Sequence, residues 1–238
     1  MQDSGSGGFI VGLSGGLDSA VVAVLCNAAG KRTFALILPC HSQRKDVGDA
    51  KKLSRKFKIK TKLIDLSGID DKLLSVLPTS DKIGQGNLMA RLRMLVLYYF
   101  ANKYNYLVVG TGNKSEIMTG YFTKFGDGGC DLLPIGDLLK TQVKELARKL
   151  NIPQDLINKS PSAGLWQGQT DEAELGVSYR ELDRILTGLA KGNTRGLPRN
   201  KLNKIKDKIK KTEHKRQGPK ICQMKPKLTE RSERKFVG

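Results

Sequence analysis

The sequence has few of the residues that build disulfide frameworks and zinc sites. Its 238 residues include two histidines, one tryptophan and four cysteines. The cysteines, at positions 26, 40, 130 and 222, are far apart and form no Cys-x-x-Cys pair. This spacing indicates neither a disulfide framework nor a zinc site.

Long apolar runs are also missing. No stretch approaches the roughly 18 apolar residues of a membrane span, and no charged-then-apolar leader opens the chain. We therefore expect a cytoplasmic protein without a membrane partner.

Acidic residues are scarce relative to basic ones. The chain has 42 Lys and Arg against 23 Asp and Glu, a formal charge of +19. Residues 199–238 hold 15 basic and 4 acidic residues, so that much of this excess lies in the tail. Such a distribution weakens the case for nucleic acid as a partner, because polyanionic small molecules also require positive charge.

The motif that organises the chain lies near its start. Residues 8–13 read as a buried strand and residues 17–29 as an Ala- and Val-rich helix, with a Ser-Gly-Gly turn between them. The first amides of a helix have no intrahelical acceptor, so this turn predicts an anion site. The predicted phosphate-binding residues are Gly12, Leu13, Ser14, Gly15, Gly16, Leu17, Asp18 and Ser19.

Asp18 stands where many phosphate loops place positive charge. A carboxylate beside a polyphosphate is repulsive unless a divalent cation lies between them, so Asp18 implies Mg²⁺. The plainer interpretation is that Asp18 merely complements the positive end of the helix dipole.

Strands and helices alternate along the first half of the chain. Further strands are predicted at 33–38, 60–65 and 106–109, and helices at 43–57, 66–77, 85–103, 140–150, 178–190 and 198–211. This order predicts an α/β fold, a Rossmann-like parallel sheet with helices on both faces. Residues 1–8 are predicted to be a flexible N-terminus, 9–198 the main domain, and 199–238 a basic helix and tail of that domain.

A second strand, glycine turn and helix start occurs at residues 106–116. It should reach the same sheet edge as the first, so that two such turns form a nucleotide cleft. Glu116 has two interpretations, because Asn113 and Glu116 have the spacing of a capping box, while Glu116 also offers a second carboxylate for Mg²⁺.

The helix at 85–103 has two notable faces. Leu88, Leu92, Leu95, Val96 and Tyr99 have the spacing of one buried stripe. On another face lie Asn87, Arg91 and Tyr98, where Arg91 is either solvated or directed at a phosphate or carboxylate.

Two irregular stretches are predicted to serve a site. Residues 120–131 combine glycines with Asp127 and Asp131, a composition typical of a site loop but also of a surface turn. Residues 159–172 lack a hydrophobic period and hold the tryptophan, which favours a lid.

The loop sequence Ser-Gly-Gly-x-Asp-Ser after a strand resembles that of the ATP pyrophosphatase superfamily. Several further segments, in order, resemble ammonia-dependent NAD synthetases, namely 85–94, 110–116, 120–131, 159–176 and 214–217. The resemblance runs from residue 9 to about residue 217. It implies ATP-dependent amidation of deamido-NAD by ammonia through an acyl adenylate, with release of AMP and pyrophosphate.

The resemblance also implies roles for individual residues. Asp18 and Glu116 would bind Mg²⁺, and Thr111, Lys140 and Ser162 would contact ATP together with residues 12–19. Contacts to deamido-NAD would come from Arg91, Lys124, Asp131, His214 and Lys215. Asp18, Lys140 and Asp127 are the predicted catalytic residues, with Asp127 or Asp131 taking a proton from ammonium.

The family is typically homodimeric, and its members usually carry a helix before the first strand, where only a few residues stand here. A chain of 238 residues leaves no room for an attached glutaminase domain, so free ammonia is the expected nitrogen donor. Two alternatives stay open, a tRNA-modifying ATP pyrophosphatase and a non-catalytic protein that binds nucleotide or nucleic acid through its basic tail.

Overall fold

The computed structural model describes residues 4–166 and 168–222. Its centre is a four-stranded parallel sheet in the order β3-β2-β1-β4. The strands are β1 (Gly8–Gly12), β2 (Arg32–Ile37), β3 (Lys60–Leu63) and β4 (Leu107–Val109). The predicted α/β class and parallel sheet are therefore confirmed.

Helices fill the connections and continue after the last strand. Those within the sheet region are α1 (Leu17–Ala28), α2 (Arg44–Lys56), α3 (Ser67–Leu74) and α4 (Lys82–Tyr104). After β4 follow α5 (Lys114–Thr119), α6 (Lys140–Lys149), α7 (Gln154–Ile157), α8 (Asp171–Leu175), α9 (Tyr179–Ala190), α10 (Arg199–Lys211) and α11 (Glu213–Arg216).

Alternating side chains of the central strands pack into two hydrophobic cores, one on each face of the sheet. Phe9 and Val11 pack with α1 and α6 on one face, whereas Ile10 packs with Phe34, Leu36 and α4 on the other. Because successive strand residues point to opposite faces, a five-residue strand contributes to both layers. The sheet is thus covered on both sides, as a buried parallel sheet requires.

Strand pairing brings the two glycine turns together. β1 lies directly beside β4, with Phe9 opposite Leu107 and Val11 opposite Val109. The turn after β1 and the turn after β4 therefore leave the same edge of the sheet side by side, as predicted.

The predicted buried stripe of α4 is wrong. Leu95 and Tyr99 are exposed, at 63% and 61% of their surface, while Met89, Ala90 and Phe100 on a neighbouring stripe are buried. Helix α4 is apolar on more than one side, and spacing alone does not say which side faces the sheet. Leu88, Leu92 and Val96 are only partly buried.

Other differences lie at element ends. Helix α4 begins at Lys82, three residues before its predicted start, because Asp81 caps it by accepting a hydrogen bond from the Gly84 amide at 2.7 Å. The short helices α7, α8 and α11 were not predicted. Each has four or five residues, too few to show a hydrophobic period.

The C-terminal helix joins the rest of the fold through a third core. Leu202 and Ile205 of α10 pack with Leu182, Ile185 and Leu186 of α9. Residues 223–238 of the predicted basic tail lie outside the described residues. Across the described ranges, every helix is too short or too polar to cross a membrane.

Candidate active site

The loop between β1 and α1 is held in shape by its own serines. The Ser19 hydroxyl accepts a hydrogen bond from the Ser14 amide at 3.2 Å and donates one to the Gly16 carbonyl at 3.0 Å. Gly16, the N-cap of α1, offers no side chain to the helix amides. These first amides therefore remain available to an anion, as the motif predicts.

Gly15 has to be glycine for two reasons. Its φ is +82°, and a Cβ would collide with the backbone carbonyl of Asp46 in α2. Helix α2 therefore packs directly under the loop.

Lys159 ties the loop to two other parts of the chain. Its ammonium donates to the Gly15 carbonyl at 2.9 Å, to Asp46 Oδ1 at 2.7 Å and to Asp49 Oδ2 at 2.8 Å. Asp49 is buried. The first residue of the predicted lid is thus an anchor between the phosphate loop and α2.

Three predicted residues meet at the carboxyl edge of the sheet. The Lys140 ammonium contacts the Asp18 carboxylate and lies 3.3 Å from Glu116 Oε1. Asp18 Oδ1 also accepts from the Asn113 side-chain amide at 3.1 Å. Helices α1, α5 and α6 each contribute one charged group to this cluster near their N-termini.

The capping-box interpretation of Glu116 is confirmed. Its Oε2 accepts from the Asn113 amide at 3.2 Å, and Asn113 caps the Glu116 amide at 3.0 Å, which completes the capping box. Its Oε1 meanwhile faces Lys140. The capping box fixes the side chain so that one oxygen is left for a cation.

The cluster is strongly desolvated. Burial raises the pKa of Glu116 to about 7, with the Asp18 carboxylate adding to the rise and the Lys140 ammonium opposing it. Burial alone would lower the pKa of Lys140, but Asp18 and Glu116 raise it above its usual range. Lys140 is therefore a charged, nearly buried ammonium.

A carboxylate that the sequence reasoning missed supports this arrangement from behind. Asp183 of α9 is buried and accepts from the Ser115 hydroxyl at 2.5 Å and from the Thr141 amide at 2.8 Å. The Ser115 hydroxyl in turn accepts from the Lys140 amide at 3.0 Å. Asp183 thus joins the starts of α5 and α6. The sequence signal for its burial was its position beside the apolar residues Leu182 and Leu186.

Asp171, at the start of α8, is a second missed carboxylate. It is buried and accepts from Tyr179 at 2.9 Å and from Tyr121 at 3.1 Å. Tyr179 lies between Asp171 and Glu116, with its hydroxyl 3.4 Å from Glu116 Oε1. The Lys140 ammonium lies over the Tyr179 ring. Burial raises the pKa of Asp171, and the Lys140 ammonium opposes this rise.

A second group of predicted residues surrounds the loop at 120–131. Arg91 donates to the Lys124 carbonyl at 3.3 Å, and the Lys124 ammonium reaches the His214 carbonyl at 2.6 Å. Lys215 donates to the carbonyls of Gly120 and Phe122. The C-terminal segment is therefore bound to this loop. Among the described residues, the His214 ring makes its hydrogen bond to the Lys211 carbonyl rather than to the loop.

The two aspartates of this loop have structural partners. Asp127 accepts from the Thr123 amide at 2.7 Å, and Asp131 accepts from the Tyr98 hydroxyl at 3.0 Å and the Val108 amide at 2.8 Å. Asn87 accepts from the Thr123 hydroxyl at 2.6 Å. The α4 face formed by Asn87, Arg91 and Tyr98 therefore docks the loop.

Two predicted ATP contacts make no hydrogen bond to the charged cluster in the described part of the chain. Thr111 lies in the turn after β4, two residues before Asn113. Ser162 is exposed, and its hydroxyl accepts from the Gly164 amide at 3.1 Å.

Known proteins are similar to this sequence along nearly its whole length. The sequence profile of the family described as NAD synthase matches residues 1–219. The chain belongs to the NAD synthase family. The NH(3)-dependent NAD(+) synthetase of Archaeoglobus fulgidus is 46% identical over 96% of this chain and 93% of its own, and that of Methanocaldococcus jannaschii is 48% identical over 92% and 90%.

Solved structures agree with this assignment. The NMN synthetase of Francisella tularensis superposes with a TM-score of 0.87 at 40% identity, covering 94% of this chain and 92% of its own. The NH3-dependent NAD synthetase of Campylobacter jejuni, solved with a nitrate ion, superposes with a TM-score of 0.82 at 32% identity. The match covers 93% of this chain and 92% of that one. This NAD synthase family member is therefore a ligase that forms a carbon–nitrogen bond with ATP as co-substrate.

Proposed function

We propose that the two loops and the charged cluster carry out the ammonia-dependent formation of NAD from deamido-NAD. The nicotinate carboxylate attacks the α-phosphorus of ATP and pyrophosphate leaves. Ammonia then attacks the acyl carbon of the adenylate, and AMP departs with one of the former carboxylate oxygens. The observation that carries this proposal is the meeting of Asp18, Glu116 and Lys140 beside a serine- and glycine-lined helix N-terminus.

Activation is needed because a carboxylate would otherwise have to lose oxide, a very poor leaving group. The protein's task is to align two anions and to offset their charge. The amides and hydroxyls of residues 12–19 would bind the departing pyrophosphate. Lys140 would contact the ATP phosphates, with Thr111 and Ser162 as further ATP contacts.

The residues at the cluster fit magnesium. Asp18 and Glu116 present carboxylate oxygens that already share one cation, the Lys140 ammonium, and Mg²⁺ prefers such oxygen donors. When bound, the metal would neutralise charge on the phosphate oxygens. Asp18 and Glu116 would hold it, while Lys140 would turn from the carboxylates toward phosphate.

The loop at 120–131 and the C-terminal segment would hold deamido-NAD. Arg91, Lys124 and Lys215 bring three positive charges to this side, and His214 and Asp131 add polar groups. Because Lys124 binds the carbonyls of His214 and Gln217, closure of this segment and substrate binding would be coupled.

Ammonium predominates near neutral pH and must lose a proton before it attacks. Asp127 and Asp131 remain candidates for that proton, and Asp171 joins them because burial raises its pKa and it lies in the network of Glu116 and Lys140. Each aspartate is replaced in turn by asparagine, and the KM for ammonium is measured against pH in each variant. The variant whose pH profile changes identifies the group. A profile unchanged in all three variants would remove carboxylate catalysis from the account.

We also propose that residues 9–222 form one domain of a cytoplasmic homodimer. The contacts of α10 with α9 support the single domain, and four free cysteines suit a reducing compartment.

The exposed Leu95 and Tyr99 of α4 support the dimer, since an apolar stripe of this kind is typical of an interface. Leu95→Asp should give a monomer by sedimentation, whereas Val76→Asp, at another exposed apolar position, should not.

A second acceptor is favoured by the likeness to the NMN synthetase of Francisella tularensis. Its substrate would be the nicotinate mononucleotide, which lacks the adenylate half. The test is kcat/KM for both acceptors with ATP, Mg²⁺ and ammonium. Preference for deamido-NAD supports the proposal, and preference for the mononucleotide replaces it with the second function. ATP cleavage with neither acceptor converted to product would indicate a different acceptor, and tRNA would be the first to test.

A further inference from the structure

Three side chains with different donor atoms converge where β2 ends. One ligand atom each from Cys40, His41 and Asp70 lies within 4.8 Å of the others. Cys40 and His41 follow β2, and Asp70 is in the first turn of α3. None of the three takes part in the phosphate loop or in the cluster around Lys140.

Asp70 is the observation that requires an explanation. Its side chain is almost fully buried, and Oδ1 has no hydrogen-bond partner among the described residues. Its Oδ2 lies 3.4 Å from His41 Nε2. An unpartnered buried carboxylate oxygen is costly, and a bound ion or water is one explanation for such a group.

The backbone holds the other two groups in place at some cost. His41 has a φ of +54°, a left-handed conformation that is uncommon outside glycine, and its amide donates to the Ser67 hydroxyl at 3.0 Å. The Cys40 amide donates to the Ser42 hydroxyl at 3.3 Å. This turn directs the imidazole toward Asp70 and Asp71. The distance from His41 Nε2 to Asp71 Oδ1 is 3.2 Å.

Two distances from the His41 ring suit a tetrahedral metal. Zinc bonds of about 2.0–2.3 Å place neighbouring ligand atoms about 3.5 Å apart. The separations from His41 Nε2 to Asp70 and Asp71, 3.4 and 3.2 Å, are already of this size. The remaining ligand atoms, within 4.8 Å, need to move by about 1 Å.

We propose that Cys40, His41 and Asp70 form a zinc-binding site, with Asp71 or a water molecule as the fourth ligand. One sulfur, one nitrogen and one or two carboxylate oxygens suit Zn²⁺, whereas Mg²⁺ takes oxygen ligands alone. Binding requires the Cys40 thiolate, so the thiol proton is released to the solvent when the Zn–S bond forms.

The sequence did not indicate this site because its ligands have no zinc-motif spacing. Cys40 and Asp70 are separated by α2 and β3 and meet only because α3 returns over the end of β2. The site therefore depends on the folded chain, and zinc should raise the thermal midpoint of unfolding as any ligand of the native state does.

The test uses the full-length protein in a Cys222→Ser background, since Cys222 is exposed and would bind metal adventitiously. Co²⁺ is titrated first, because a Co–thiolate bond gives a near-ultraviolet charge-transfer band and tetrahedral Co²⁺ gives intense visible bands. Zinc is then measured by mass spectrometry after dialysis. The variants are Cys40→Ser and Asp70→Asn, with the buried Cys26→Ser as matched control.

The proposal predicts one equivalent of zinc per chain, a thiolate band with cobalt, and displacement of cobalt by zinc. Cys40→Ser should abolish the thiolate band, and Asp70→Asn should weaken binding more than about tenfold, the smallest effect expected even of an outer-shell partner. Cys26→Ser should behave as the parent. No retained zinc in the parent, or a thiolate band that survives Cys40→Ser, would overturn the proposal. His41 would then contact Asp70 and Asp71 without a metal between them.

Discussion

The Lys140 ammonium contacts the carboxylate of Asp18, a residue 122 positions earlier in the chain. Lys140 begins α6 and Asp18 lies in the first turn of α1. Because β1 and β4 are neighbours, the turns after them present the starts of α1 and α5 at one edge, and the Ser115 hydroxyl of α5 accepts from the Lys140 amide at the start of α6. The cluster is thus a result of sheet order together with this contact.

Lys140→Met should remove most of the activity. The variant loses the cation that we assign to the ATP phosphates and leaves the carboxylates of Asp18 and Glu116 facing each other. We expect kcat to fall by about a hundredfold or more, as on loss of other groups that stabilise developing charge. Lys149→Met, an exposed site on the same helix, should match the parent. Equal kcat in both variants would remove Lys140 from the mechanism.

Lys159→Met should weaken ATP binding through the phosphate loop. Loss of the bond to the Gly15 carbonyl frees the loop, so that KM for ATP rises by about tenfold while kcat changes less. The variant should also be less stable, since Asp49 is left buried without its cation.

A double variant separates these two effects of Lys159. Lys159→Met with Asp49→Asn should recover the thermal midpoint but retain the high KM for ATP. Recovery of both would mean that Lys159 acts only on stability. The exposed Lys52→Met on α2 serves as the control.

Asp183→Asn should lower kcat although the side chain lies behind the reacting groups. Ser115 and Thr141 donate to different oxygens of Asp183, and in asparagine one of these oxygens is replaced by an NH₂ group that cannot accept. The start of α6 would then shift, and a misplacement near 1 Å can cost about a hundredfold. Asp207→Asn on α10 is the exposed control. A lowered thermal midpoint with kcat intact would show a structural role only.

Glu181, which completes a capping box with Ser178 at the start of α9, gives a pH-dependent prediction. The Lys201 ammonium, with Ser178, lowers the pKa of Glu181 from 4.5 to about 2. A carboxyl group with a lowered pKa stabilises the folded chain above its unfolded pKa and loses this effect as pH falls. The loss in unfolding free energy caused by Glu181→Gln should therefore be largest above pH 4.5 and vanish toward pH 2.

Denaturant unfolding of Glu181→Gln and of the exposed control Glu145→Gln measures this difference across the pH range. A difference for Glu181→Gln that does not change with pH would exclude the ion pair as its source.

The strands, the sheet class and the two glycine turns were predictable because each is encoded by local pattern. Asp18, Glu116 and Lys140 could be named from motifs; strand order brings Asp18 and Glu116 to one edge, and the contact of Ser115 with the Lys140 amide adds the start of α6. Asp171 and Asp183 were missed because a carboxylate within a short or amphipathic helix shows no spacing that separates it from a solvated one. The buried side of α4 was wrong because its pattern offers two apolar stripes.

Transfer of oxygen tests the central claim most directly. Deamido-NAD labelled with ¹⁸O in its carboxylate is incubated with ATP, Mg²⁺, ammonium and either the parent or Asp18→Asn. Attack of the carboxylate on the α-phosphorus predicts NAD with equal amounts of AMP and pyrophosphate, one label in the AMP phosphate, and a severe loss in the variant. Label in inorganic phosphate, or undiminished turnover by Asp18→Asn, would contradict the account.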